Sequence, residues 1–162
     1  MPLIPTTLSS GLLKLTDPDD PGFLGFPANA EEAGNNWATV FESYLITQTI
    51  PPPPTAQLAA TAGRSLAVQA FVAASNSGAN PLDAILLAYV TQIVLLTPPA
   101  LGVSAPPPGT PPVALALLPF IAVPIADPRP PALAIAATVQ AWLMTGTFTP
   151  VTPPGAPPQL WA

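Results

Sequence analysis

The chain has neither cysteine nor histidine, and its only cations are Lys14, Arg64 and Arg129. Without the first two residue types there are no disulfides, no thiolate or imidazole metal ligands, and no Cys–His or Ser–His–Asp catalysis. Three cations neutralise too few phosphates for nucleic-acid binding driven by counterion release. Charge of either sign is scarce, at 7% of 162 residues against an average near ~25%. Long unbroken apolar runs are missing too. The run over 81–97 stops at Pro98–Pro99, and the run over 113–126 contains Pro119 and Pro124. Neither supplies the ~20 residues of a membrane-spanning helix, and no Lys/Arg cluster flanks them. The first residues lack the basic segment and apolar core of a secretory signal.

Proline is abundant instead, with 27 residues, while 49% of the chain is hydrophobic. Such hydrophobicity is uncharacteristic of a disordered linker. The acids Asp17, Asp19, Asp20, Glu31, Glu32 and Glu42 with Lys14 place the whole net charge of −5 within residues 1–42. Beyond them only Arg64, Asp83, Asp127 and Arg129 are charged. A dispersed soluble domain carries roughly 25–35% charged surface, so the neutral part of this chain suits a protein covered by others.

The pattern predicts a mainly α fold, an Ala-rich bundle of about four to five helices with Pro-rich connectors. Residues 1–146 are expected to form one helical domain, with an extended arm at 1–27 in which Leu8 to Leu15 make one or two helical turns, and a helical core at 28–146. Residues 147–162 are expected as an extended Pro-rich tail. Asn29 with Glu32 forms a cap pattern ahead of a helix whose face carries Ala33, Trp37, Val40, Phe41, Tyr44 and Gln48, with Gly34 weakening its first turns. Prolines 51–54 read as a stiff spacer. A second helix runs over 55–74 on Leu58, Ala62, Leu66, Ala70 and Phe71. A third opens with Asn80-Pro81-Leu82-Asp83 and is apolar all round, so it must be surrounded. Residues 97–112 hold seven prolines and read as a connector, and across 97–126 helix, strand and extended chain all stay open. A last helix runs from Pro131 to about Thr145 on Leu133, Ala136, Ala137, Gln140 and 142–144, with Gly146 as its stop. Residues 147–151 alternate like a strand that Pro150 confines to an edge.

Candidate chemistry is thin. Asp17, Asp19 and Asp20 are a hard-cation possibility that reads more simply as a solvated turn. Glu31 and Glu32 point in different directions on a helix and suit its positive end. The loop 75–80 lacks the Lys or Arg and the preceding strand of a phosphate cradle. Asp127-Pro128-Arg129 reads as a turn with a local ion pair. No catalytic, cofactor-binding or metal-binding residue emerges, and neither an enzyme, a cofactor nor a small-molecule substrate is expected. The expected protein interface comprises Leu86, Tyr89 and Ile93 on the apolar helix and Phe148, Leu160 and Trp161 in the tail. Trp161 either folds back or docks on a neighbour.

The opening Met1-Pro2-Leu3, the segment Asn35-Asn36-Trp37-Ala38-Thr39-Val40-Phe41-Glu42-Ser43-Tyr44, Ala-rich helices between proline blocks, and a closing Thr145-Gly146-Thr147-Phe148-Thr149-Pro150 resemble the small virion structural proteins of tailed bacteriophages. That resemblance implies a non-enzymatic structural subunit of a tail, baseplate or neck, assembled in the bacterial host cytoplasm and located in the virion. Its partners would be other virion proteins and copies of itself. A membrane-active lysis or envelope-associated protein is the alternative, although a membrane partner fits poorly. A binder of an apolar ligand between the helices at 55–74 and 81–96 is a third reading. On the assembly reading, loss of residues 147–162 should weaken incorporation and leave helical content largely intact.

Overall fold

The computed structural model describes residues 5–47, 55–121 and 127–162. Six helices and a three-stranded sheet form over these residues: α1 (Pro5–Thr16), α2 (Ala30–Leu45), α3 (Thr55–Ser77), α4 (Pro81–Leu96), β1 (Gly102–Ala105), α5 (Val113–Ile121), α6 (Arg129–Leu143), β2 (Thr147–Pro150) and β3 (Gln159–Leu160). The protein is a mainly helical bundle. Gln48, prolines 51–54 and Pro124 lie outside the described residues. No helix among the described residues is long and apolar enough to cross a membrane.

Within the segment expected as an arm, the one or two turns expected over Leu8–Leu15 extend to the full α1, and α1 is part of the core. Leu8 and Leu12, four residues apart, are fully buried against the bundle, where α1 packs on α6 and α2. At a helical rise of about 1.5 Å per residue the two leucines sit about one turn apart on one face, close enough to enter the same part of the core, where an extended chain would set them about twice as far apart. The chain then reverses through a turn in which the Leu24 N–H donates to the Lys14 carbonyl (2.9 Å).

The α2 start follows its sequence pattern closely. The Glu32 N–H donates to Asn29 Oδ1 (2.8 Å), and the Glu32 carboxylate accepts from the Ala28 N–H (2.7 Å), satisfying two donors at the helix entrance. Phe41, Tyr44 and Leu45 are buried, while Trp37 is only partly covered and stacks on Phe41 (centroids 5.8 Å apart). Gly34 weakens the helix locally but is buried, with the Phe71 ring and Val68 of α3 immediately above it.

On α3 the buried face is not the leucine face. Leu58 and Leu66 are exposed, whereas Ala59, Ala60, Gly63, Ala67, Val68 and Phe71 face inward. Small residues let the α4 backbone approach closely, and the bulk at that contact comes from α4 itself. Arg64 links α3 to α2, donating to Glu42 Oε2 (2.7 Å), Thr39 Oγ1 (2.8 Å) and the Asn35 carbonyl (3.1 Å).

The α4 helix begins as expected, with Asn80 Oδ1 accepting from the Leu82 N–H (3.0 Å) and Pro81 in the first turn. It is the surrounded helix. Ile85, Leu86, Tyr89, Val90 and Ile93 are buried within the chain, and the Tyr89 hydroxyl donates to the Ala38 carbonyl of α2 (3.2 Å). The helix emerges at Thr91 and in its last turn, where Leu95 and Leu96 are exposed.

Residues 97–112 are not simply a connector, since they contribute β1. In the antiparallel order β1-β2-β3, Val103 lies opposite Thr149, Ala105 opposite Thr147, and Thr147 opposite Leu160. The stretch expected as an edge strand is therefore the central one. Pro150 is tolerated because β3 pairs only with Thr147 and Phe148, so nothing on that side needs its missing N–H. The Val151 N–H still reaches the Leu101 carbonyl (3.1 Å) on the β1 side. Gly102 has Phe148 packed directly over it, leaving no room for a Cβ.

The last helix starts two residues earlier than the sequence pattern places it. Pro131, Ala132, Ile135, Ala136, Val139, Trp142 and Leu143 form its buried face, while Leu133 and Ala137 face outward. Gly146 stops nothing by a left-handed conformation, since its φ is not positive. Its role is space: a Cβ there would lie 2.7 Å from the Trp161 indole.

Candidate functional site

The expected interface residues divide sharply. Leu86, Tyr89, Ile93, Phe148 and Trp161 are at most 2% exposed and belong to the chain's own core. They are unavailable to a neighbour, and the expectation that they form an interface is corrected for all five. The terminal Trp folds back: its indole Nε1–H donates to the Thr147 carbonyl (3.0 Å) and its backbone N–H to the Gly146 carbonyl (3.0 Å). Leu160 alone is exposed, at 56%.

Leu160 is exposed because strand alternation turns it to the opposite face from Trp161. The same alternation and the register place Val103 and Ala105 of β1, Thr147 and Thr149 of β2, and Leu160 of β3 on one outer face. Leu101 and Val151, whose backbones hydrogen-bond just beyond the strand ends, are exposed too. Val103 reaches 66% exposure. None of these residues is charged. The inner face is anchored separately: Ser104 Oγ and Thr97 Oγ1 share a buried hydrogen bond (2.7 Å), and Thr97 Oγ1 also donates to the Ile93 carbonyl of α4 (2.7 Å). Sequence reading missed Leu101 and Val103 because the prolines around them outweighed the alternation in Leu101-Gly102-Val103-Ser104-Ala105. The connector after β1 is anchored as well, since the Trp142 indole donates to the Pro108 carbonyl (3.3 Å).

A second feature is a cleft of about 710 Å³ where the end of α1, Trp37 of α2 and the start of α6 meet. It joins two stretches read separately in the sequence, the acidic turn after α1 and the Asp127–Arg129 turn. Asp17 Oδ1 accepts from the Asp19 N–H (3.0 Å), and Asp20 Oδ1 accepts from the Gly22 N–H (2.7 Å). Asp127 Oδ1 accepts from the Arg129 backbone N–H (3.0 Å), so this turn is held by an Asx bond where an ion pair was expected. No group of three or more acidic side chains among the described residues is placed to hold a metal ion. The cleft is not between α3 and α4, the place expected for an apolar ligand.

Two buried polar groups stand out elsewhere. The Tyr44 hydroxyl and Asp83 Oδ1 have no hydrogen-bond partner. Burial pushes the Tyr44 and Tyr89 phenols above their ordinary range, so both stay protonated, and it raises the Asp83 carboxyl. Neither tyrosine has the reactive, lowered pKa of a catalytic nucleophile.

No family model, no curated protein and no solved structure matches the chain.

Proposed function

We propose that the protein is a non-enzymatic structural subunit of a tailed-phage virion, joining copies of itself through the outer face of its three-stranded sheet. The carrying observation is that face: Leu101, Val103, Val151 and Leu160 exposed together with no charge among them. Contiguous exposed apolar surface marks interaction sites. A second copy is the favoured occupant because the net charge of −5 lies in residues 1–42, while residues 130–162 are uncharged. Two copies meeting through their sheets bring neutral surface together, where contact through residues 1–42 would set acids against acids. The carboxylates with assigned bonds support the non-enzymatic reading, since Asp17, Asp20 and Asp127 hold turns, Glu32 caps α2 and Glu42 binds Arg64. The virion setting rests on the resemblance in the opening residues, α2 and the β2 region.

The test pairs sedimentation with particle incorporation. The wild-type chain should self-associate at micromolar concentration and co-purify with particles at multiple copies. Val103→Lys with Leu160→Lys should shift it to monomer and abolish incorporation, with its circular dichroism unchanged. A wild-type chain that stays monomeric and absent from particles ends this reading.

A further inference from the structure

The cleft between α1 and α6 has a chemistry that assembly through the sheet does not use. Its volume of about 710 Å³ matches small-ligand sites, which run to roughly 300–1,000 Å³. Leu12 and Ile135 give it an apolar floor, and Trp37, held against Phe41, contributes an aromatic surface. Asp17 and Asp19 from the turn after α1 and Asp127 from the turn before α6 line it, with Arg129 the one cation among the lining residues. Three carboxylates against one guanidinium leave the lining net negative.

Local structure does not require that negative charge. The turns use Oδ1 of Asp17 and Asp127 as acceptors for backbone N–H groups, a role asparagine fills equally. Asp19 offers the cleft a carboxylate at an exposed position. A bare metal ion is a poor fit, because no three acidic side chains among the described residues converge to hold one. An aromatic face beside dispersed carboxylates instead suits a cation spread over a larger molecule, and Trp is the best aromatic partner for a cation. We propose that this cleft binds a small organic cation, an ammonium or guanidinium group on an apolar stem. The stem lies over Leu12 and Ile135, and the cationic head lies between Trp37 and the aspartates. This site is independent of the assembly reading and stands or falls separately from it.

Three probes of one shape but different charge test it: 4-phenylbutylamine, 4-phenylbutanol and 4-phenylbutyrate, titrated into the full chain by amide and indole NMR. The amine should saturate, move the Trp37 indole signal and the amides of Asp17, Asp19, Asp127, Arg129 and Ala132, and bind about tenfold tighter than the alcohol. The acid should be weakest, and added salt should erode the amine's advantage. The triple variant Asp17→Asn, Asp19→Asn, Asp127→Asn should keep its spectrum dispersed and bind amine and alcohol alike. Asp20→Asn, outside the cleft lining, should retain the preference. Equal wild-type affinity for amine and alcohol, shifts centred elsewhere, or no saturation by about 10 mM overturns the proposal. Because the charge series is read on the wild-type chain, a variant that fails to fold does not rescue it.

Discussion

At the scale of single residues, Asp83 is the position where stability and pH meet. Its carboxyl sits in the first turn of α4, where the helix dipole favours negative charge. Yet Oδ1 is buried without a partner, and desolvation raises the group's pKa, with the Asn80 side chain offsetting only part. A carboxyl whose folded pKa lies above its unfolded value costs the fold nothing while both states are protonated. The cost appears as pH climbs from the ordinary carboxylate range to the raised value, and it persists above that. Asp83→Asn removes the ionised form at every pH. We therefore expect the variant to be more stable than wild type at pH 7, with the gap closing at pH 3. Urea denaturation across that range checks it, and a gap that is constant with pH argues against ionisation as the cause.

At the scale of elements, the join between α6 and the sheet decides how the C-terminal residues behave. Gly146 follows α6 by three residues, and its missing Cβ is the space into which the Trp161 indole packs. Gly146→Ala introduces a methyl 2.7 Å from that ring, with Pro107 pressing from the connector side. Overpacking of this kind costs about 1–3 kcal/mol. The variant should show a lowered denaturation midpoint and red-shifted tryptophan emission as Trp161 loosens. Unchanged emission with an unchanged midpoint would show that the neighbours yield without penalty. By contrast, the link between α2 and α3 is partly exposed at Arg64 and Glu42, so that ion pair adds to register more than to stability.

At the scale of the whole molecule, the two chain ends belong to one folding unit. Leu8 and Leu12 from the first helix, and Phe148 and Trp161 from the sheet, lie in the same buried cluster as the helix faces between them. Removing residues 147–162 therefore takes away core, contrary to the expectation that helical content would survive the loss. Truncating one buried Phe or Trp to Ala costs about 3–5 kcal/mol. Losing both approaches the total stability of a domain, about 5–15 kcal/mol. The chain ending at Gly146 should lack a cooperative thermal transition by circular dichroism. A sharp transition near that of the full chain would instead make the sheet a dispensable addition.

Much of the architecture follows from local chemistry. The caps at Asn29 and Asn80, the breaks at proline blocks and the all-round apolarity of α4 are properties of neighbours in the chain, so the order of the main helices was legible. So was the confinement of the net charge to residues 1–42 and the scarcity of charge beyond them, the basis for expecting a covered protein. Which face of each helix turns inward was not legible wherever leucine and alanine compete, as on α3. There, close approach to α4 rewarded alanine and glycine and left Leu58 and Leu66 outside. The strand at 147–151 was legible from its alternation, but its partner was not, because β1 lies more than forty residues earlier and pairing at that distance leaves no mark on either segment alone. Trp161 was read as either folded back or docked elsewhere, and Gly146 decided between them by leaving room for the ring. The candidate interface moved for the same reason. Side chains that looked sticky in sequence were consumed by the core, and those that alternation turned outward became the exposed surface.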